Sequence, residues 1–252
     1  MQRFMSPVKH LWVKAIACMV LLSACHHAYY VHERHDRFYE VKNDVADSSF
    51  VHMLAPYKKT MDAQMDAVIG HADTTLNKMQ PESTLGNFLA DAVLKAAMKI
   101  EKNTDASVAN YGSIRIPYIA AGPITLGRVY EMMPFDNMLV IADIPGSVMK
   151  RFCDHMARAK GWPVSGIRFD IVGKEARRIY INGKPLDEHA IYKVAINDYI
   201  ASGGDYCDFL VPLKKETTNI FIRDALIDYI KDLEQRHEPL HPKLENRLQY
   251  GD

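Results

Sequence analysis

Apolar and polar positions along the chain repeat with two periods, and the switches between them outline its elements. Phe50, Leu54, Tyr57, Met61, Met65 and Val68 recur at helical spacing, with Pro56 near a helix start or at a kink. Such a methionine-rich stripe predicts a packing face. Glu82-Ser83-Thr84 supplies a small polar cap before Leu85, Phe88, Leu89, Ala92, Val93 and Ala96, which predicts an amphipathic helix ending near Ile100. A strand is expected over 106–110. Met138 to Ala142 is a continuous apolar run of the kind a buried strand carries, and Pro145-Gly146 closes it. Ser147 is placed to cap a following helix bearing Val148, Phe152, Met156 and Ala159. Residues 166–172 and 177–181 read as strands, and Asn182-Gly183 as a hairpin turn, because both positions tolerate positive φ. Tyr192 to Ile196 predicts a further strand leading into the Gly203-Gly204 turn. Thr218 or Asn219 is the expected cap of a last helix with Ile222, Leu226, Tyr229, Ile230 and Leu233 on one face. Helices and strands interleave, so the expected class is α/β in the mixed α+β sense, with mixed sheets flanked by helices.

The N-terminal part breaks this pattern. Residues 1–24 carry Arg3, Lys9 and Lys14 without an acid, then the apolar stretch Ile16 to Leu22, too short to span a bilayer and suited to an export leader. Leu22-Ser23-Ala24-Cys25 reads as a lipobox, in which the leader is cut before the cysteine and the thiol carries diacylglycerol; an ordinary cleaved leader is the alternative. Acyl chains contribute about 0.8 kcal/mol per buried methylene, enough together for a lasting anchor. The expected division is a leader at 1–24, a tether at 25–48 and one domain at 49–252. The expected location is the bacterial cell envelope, lipid-anchored and facing the periplasm or the outer surface. His26, His27, His32 and His35 lie in the tether and either bind metal or are solvated; no later cluster offers matching ligands, which favours the solvated reading.

Composition narrows the partners. The whole chain is formally neutral, and losing Arg3, Lys9 and Lys14 leaves a charge of about −3, which argues against general nucleic-acid binding. Of the four cysteines, Cys18 leaves with the leader and Cys25 is the lipid acceptor. Cys153 and Cys207 remain, either as a disulfide or as two separate buried thiols.

Four stretches carry candidate chemistry. They are Pro81-Glu82-Ser83-Thr84-Leu85-Gly86-Asn87, Asn110-Tyr111-Gly112-Ser113-Ile114-Arg115, Pro134-Phe135-Asp136-Asn137, and Asn197 to Asp205 with its Gly203-Gly204 pair. A nucleoside needs flat apolar faces for its base and a carboxylate for its ribose hydroxyls, and a phosphate needs fixed donors. In this order and at these intervals, the four resemble the C-terminal, nucleotide-recognition half of the 5'-nucleotidase family, from about residue 50 to the Pro239–Arg247 tail.

The resemblance implies substrate-binding roles for Asn110 (base), Gly112 (close turn), Arg115 (the ligand's polar end), Phe135 and Tyr199 (the two aromatic walls) and Asp205 (ribose). Read without it, Phe135 is equally a core residue ahead of a buried strand. Tyr111 and Ser113 stand where the family has glycines, Tyr199 where it usually has phenylalanine, and Tyr206 where it usually has glycine. Pro81 stands where some members carry an arginine for phosphate or sugar.

Of the family's metal-binding motifs, the Asn-His-Asp or Asn-His-Glu type does not occur in the 252 residues, and Asp-x-His occurs once, as Asp187-Glu188-His189, with no companion motif. Two-metal hydrolysis needs several carboxylates and imidazoles around ions about 3.5 to 4 Å apart. His155, His189, His237 and His241 are scattered; His155 reads as a helix-surface partner of Asp154, and His241 as part of the tail. No Gly-x-Ser-x-Gly elbow is present. No catalytic residue, metal ligand or cofactor is therefore expected in this chain, and divalent metals belong to a separate metallophosphoesterase chain as partner. The leading expectation is the recognition domain of a split 5'-nucleotidase-like phosphoesterase in nucleotide catabolism. The alternatives are a nucleoside- or nucleotide-binding lipoprotein without hydrolysis, and a structural module with a decayed ligand slot.

Overall fold

The computed structural model describes residues 48–251, so the predicted leader, Cys25 and the tether up to residue 47 lie outside the described residues. In chain order the elements begin with α1 (Ser48–Met65), β1 (Val68–Ala72), β2 (Leu76–Asn77), α2 (Thr84–Ile100), β3 (Ala106–Val108), β4 (Tyr118–Ile119), β5 (Gly122–Thr125) and α3 (Leu126–Met132). Next come β6 (Met138–Pro145), α4 (Gly146–Arg158), β7 (Val164–Ser165), β8 (Ile167–Val172), β9 (Glu175–Ile181) and β10 (Lys184–Pro185). The chain continues with β11 (Ile191–Asn197), α5 (Asp198–Ala201), β12 (Lys215–Phe221), α6 (Ile222–Gln235) and β13 (Leu248–Tyr250). The mixed α/β class expected from the sequence is the observed one.

A five-stranded sheet in the order β12-β6-β11-β3-β7 is central; β11 and β3 run parallel and the other neighbours antiparallel. A four-stranded sheet has the order β10-β9-β8-β13. The pleat explains the apolar run of β6. Leu139 and Ile141 point into one core, with Phe88 and Leu89 of α2 and Leu226 and Ile230 of α6. Val140, Ala142 and Ile144 point into a second core, with Phe152 and Met156 of α4 and Phe169 of β8. A strand covered on both faces has no reason to alternate apolar with polar residues.

Ser83 caps α2 as expected, its hydroxyl accepting from the Gly86 amide at 3.0 Å. Asn182 and Gly183 both take positive φ (49° and 77°) in the predicted hairpin turn. Two expected caps are corrected. The helix expected to start at Thr218 or Asn219 starts at Ile222, and Thr218 lies in β12 with its hydroxyl donating to the Leu139 carbonyl at 2.9 Å. The β-branched and aromatic content of Thr217-Thr218-Asn219-Ile220-Phe221 suits a strand that can pair with the open side of β6. Helix α4 starts at Gly146, one residue before Ser147, without a side-chain cap. The amides of Gly146 and Ser147 instead donate to the carbonyls of Ala190 and Glu188.

Further differences concern single side chains. Leu54, Tyr57 and Met61 of α1 stay exposed, so the predicted packing stripe covers no core among the described residues. Asp154 pairs with Lys150, at 2.6 Å, rather than with His155. The His155 ring turns inward and stands edge-on to Trp162 and Phe209. Cys153 and Cys207 are both buried free thiols, which settles the open alternative against a disulfide.

Candidate functional site

Three strand ends meet at one edge of the central sheet. Because β3 and β11 are parallel, the segments that follow them, from Asn110 and from Asn197, emerge side by side. Antiparallel β6 begins at the same edge, opposite the end of β11, and brings Phe135 and Asn137 with it. The space beyond the carboxyl ends of strands is where open α/β sheets hold ligands. A cleft of about 310 Å³ opens there, a size at the lower end of small-molecule sites. It is bordered by all six residues expected from the sequence, Asn110, Gly112, Arg115, Phe135, Tyr199 and Asp205, together with Ser113 and Asn137.

The polar floor is a closed network. Asn197 accepts from the Ile200 amide at 2.8 Å, capping α5, and its Nδ2 donates to Asn110 Oδ1 at 3.2 Å. Asn110 Nδ2 donates to Asp205 Oδ2 at 2.7 Å, and the Tyr199 hydroxyl donates to Asp205 Oδ1 at 3.0 Å. The same hydroxyl accepts from the Asp205 amide at 3.2 Å. Its hydrogen bond to the carboxylate raises the Tyr199 phenol above its ordinary pKa. Each carboxylate oxygen holds one protein donor and keeps a second lone pair for a ligand hydroxyl.

The turn that carries Asp205 depends on its glycines. Gly203 takes φ 94°, and a Cβ on Gly204 would lie 2.5 Å from the Tyr199 ring, so only glycine admits that ring. Asp205 and Tyr206 take left-handed φ of 51° and 64°. Tyr206 thereby meets the backbone demand of a position usually glycine in the resembled pattern, with its ring turned to solvent. Burial, then the charges of Arg158 and Arg151, hold the His155 imidazole below its ordinary pKa, against the opposing influence of the Asp205 backbone and carboxylate. Burial, helped by the Asp205 charge, pushes the Cys207 thiol up to about 12, which leaves it a poor nucleophile.

The aromatic walls are open to solvent. Phe135 is 38% exposed and Tyr199 46%, which removes the core reading of Phe135. The Arg115 guanidinium lies 5.3 Å from the centre of the Phe135 ring, and its Nη1 donates to the Gly112 carbonyl at 3.1 Å. The two residues that replace glycines do not fill the cleft. The Tyr111 ring borders a separate small hollow and sits under Lys78, while the Ser113 hydroxyl is tucked onto the Asn110 carbonyl at 2.6 Å. Asn137 and Asn197 belong to the site without having been singled out; for Asn197, an asparagine directly before a short helical segment was the available capping signal. A larger depression of about 390 Å³ lies beside Arg168, Tyr180 and Arg247. Arg247 there is already committed to Asp91 by two hydrogen bonds of 2.7 and 2.9 Å, and no pair of facing rings borders it, so the smaller cleft is the candidate site.

Comparison with known proteins places this architecture. The family model for the 5'-nucleotidase C-terminal domain matches residues 68–211, and the chain belongs to that family. It is 27% identical over 212 residues to Protein UshA of Yersinia enterocolitica, covering 81% of this chain and 38% of that protein. It is 28% identical over 217 residues to the trifunctional nucleotide phosphoesterase protein YfkN of Bacillus subtilis, covering 77% of this chain and 14% of that protein. The crystal structure of a 5'-nucleotidase precursor from Thermus thermophilus superposes with a TM-score of 0.69 at 28% identity, over 82% of this chain and 44% of that one. The chain thus spans less than half the length of each of these relatives.

Proposed function

We propose that this chain is the nucleotide-recognition domain of a split 5'-nucleotidase-like phosphoesterase, working in nucleotide catabolism with a separate metallophosphoesterase chain that holds the divalent metals. The observation that carries the reading is the cleft itself: two exposed rings, an asparagine pair, an arginine and an anchored carboxylate converge from separate segments at one sheet edge. The base lies between Phe135 and Tyr199, the ribose hydroxyls bind Asp205, and Arg115 faces the polar end. Tethering through a lipid on Cys25 places the cleft at the envelope surface.

Titration calorimetry of the chain with adenosine and with AMP tests the recognition step. Failure of both to bind at millimolar concentration, with and without the metal-holding partner, removes the reading in favour of a structural module. Fatty-acid labelling of wild type and Cys25→Ser tests the tether. Equal label in both discards it.

A further inference from the structure

Residues 133–137, between α3 and β6, carry the Phe135 wall, yet they form no helix or strand, and Pro134, Phe135 and Asp136 are exposed. Arg223, the second residue of α6, is buried and reaches this segment with its guanidinium. Nη1 donates to the Phe135 carbonyl at 3.3 Å and to the Met133 carbonyl at a longer 3.4 Å, and Nη2 donates to Asp136 Oδ1 at 2.7 Å. The same group lies 4.2 Å from the centre of the Tyr130 ring of α3. One side chain thus joins α3, α6 and the segment that carries the wall.

The placement is costly in itself. A cation in the first turn of a helix opposes the helix dipole, and burying its charge loses hydration. Nε has no hydrogen-bond partner among the described residues. The carboxylate partner, Asp136, is 75% exposed, and so open a pair contributes little stability. An apolar side chain of similar volume would fill the space without these costs. Only the planar fork of an arginine holds two carbonyls and a carboxylate in fixed directions at once. Fixing the Phe135 carbonyl fixes the backbone from which its ring projects into the border of the cleft.

We propose that Arg223 is a positioning residue for recognition: it holds residues 133–137 so that the Phe135 ring stands ready as a stacking face, without touching the ligand itself. The proposal rests on the nucleoside-binding reading above and deepens it. A wall set in place before binding spares the ligand the cost of ordering it.

The test is a double-mutant cycle between Arg223→Met and Phe135→Ala, with adenosine affinity read by calorimetry. Arg223→Met is expected to weaken adenosine binding about fivefold, a large part of what one stacking face supplies. In the Phe135→Ala background the same change should cost less than about twofold, because the wall it positions is gone. Should Arg223→Met fail to fold, the cycle is run with Arg223→Lys, which keeps the charge, loses the fork and is expected to behave likewise. A second readout needs no ligand: the fluorine resonance of 4-fluorophenylalanine placed at position 135 should move toward its free-solvent value in the Arg223 variant. Equal losses in both backgrounds, or an unmoved fluorine resonance, would overturn the assignment and leave the nucleoside cleft standing. Absence of adenosine binding by wild type would instead remove the nucleoside reading and, with it, the role in recognition.

Discussion

Phe135 and Tyr199 expose more than a third of their surface at the mouth of a cleft whose polar groups are otherwise tied to one another. An aromatic ring left in water costs free energy that a stacked base can recover, and stacking contributes about 1 to 3 kcal/mol per base in single-strand binders. Phe135→Ala and Tyr199→Ala are each expected to weaken nucleoside binding by about that amount. Because Phe135 is not buried, its truncation should leave the thermal melt nearly unchanged, unlike the loss of about 3 to 5 kcal/mol that removing a core phenylalanine brings. Asp205→Ala should weaken ribose-containing ligands more than the free base. Calorimetry beside circular dichroism decides, and a large loss of fold stability in Phe135→Ala would return that ring to a structural role. The identities of these side chains were legible in the sequence through the family resemblance that their motifs carry together. Their hydrogen bonding was not, since the Tyr199 to Asp205 contact requires the left-handed turn and the close approach over Gly204.

At the scale of elements, patterning found the interior and misplaced several ends. The continuous run in β6 correctly marked a strand covered on both faces, and the Ser83 cap correctly opened α2. Thr218 and Ser147 misled for a common reason: a hydroxyl near a helix start resembles a cap, but here strand pairing and loop carbonyls satisfy the same backbone groups. Helix α4 also carries a consequence that local sequence could not show. It holds His155 against Trp162 and Phe209, within the electrostatic reach of Asp205. Burial and the two arginines keep the folded imidazole below its ordinary value, so the unfolded chain takes up the proton first as pH falls below about 6.5. Stability from this group is present above that value and is lost as pH falls toward the folded pKa. Thermal melts between about pH 8 and pH 5 should therefore fall more steeply for wild type than for His155→Phe. Superimposable pH profiles would show that His155 does not couple the turn to protonation.

At the scale of the whole molecule, recognition and hydrolysis call for different chemistry. Recognition needs shape, stacking faces and fixed donors, which the central sheet edge gathers into one cleft. Hydrolysis of a phosphate ester by a metal pair needs several carboxylates and imidazoles converging on two ions. Among the described residues, no three His, Cys, Asp or Glu side chains are grouped to hold even one metal ion. Their pairings point elsewhere: His71 binds Glu234 at 3.1 Å, His241 binds Asp73, and Asp91 is committed to Arg247. The two-core packing that builds the cleft was not readable in the sequence, because it depends on contacts between segments far apart in the chain. The purified chain supplied with zinc or manganese is accordingly expected to leave AMP intact. Turnover should appear when the metal-holding chain is added, and in that complex Phe135→Ala should raise KM for AMP without moving the metal requirement. Phosphate release from AMP, followed with the chain alone, with the partner alone and with both, checks this. Metal-dependent release by the chain alone, persisting through every purification step, would show that it carries its own catalytic centre and end the split-enzyme reading.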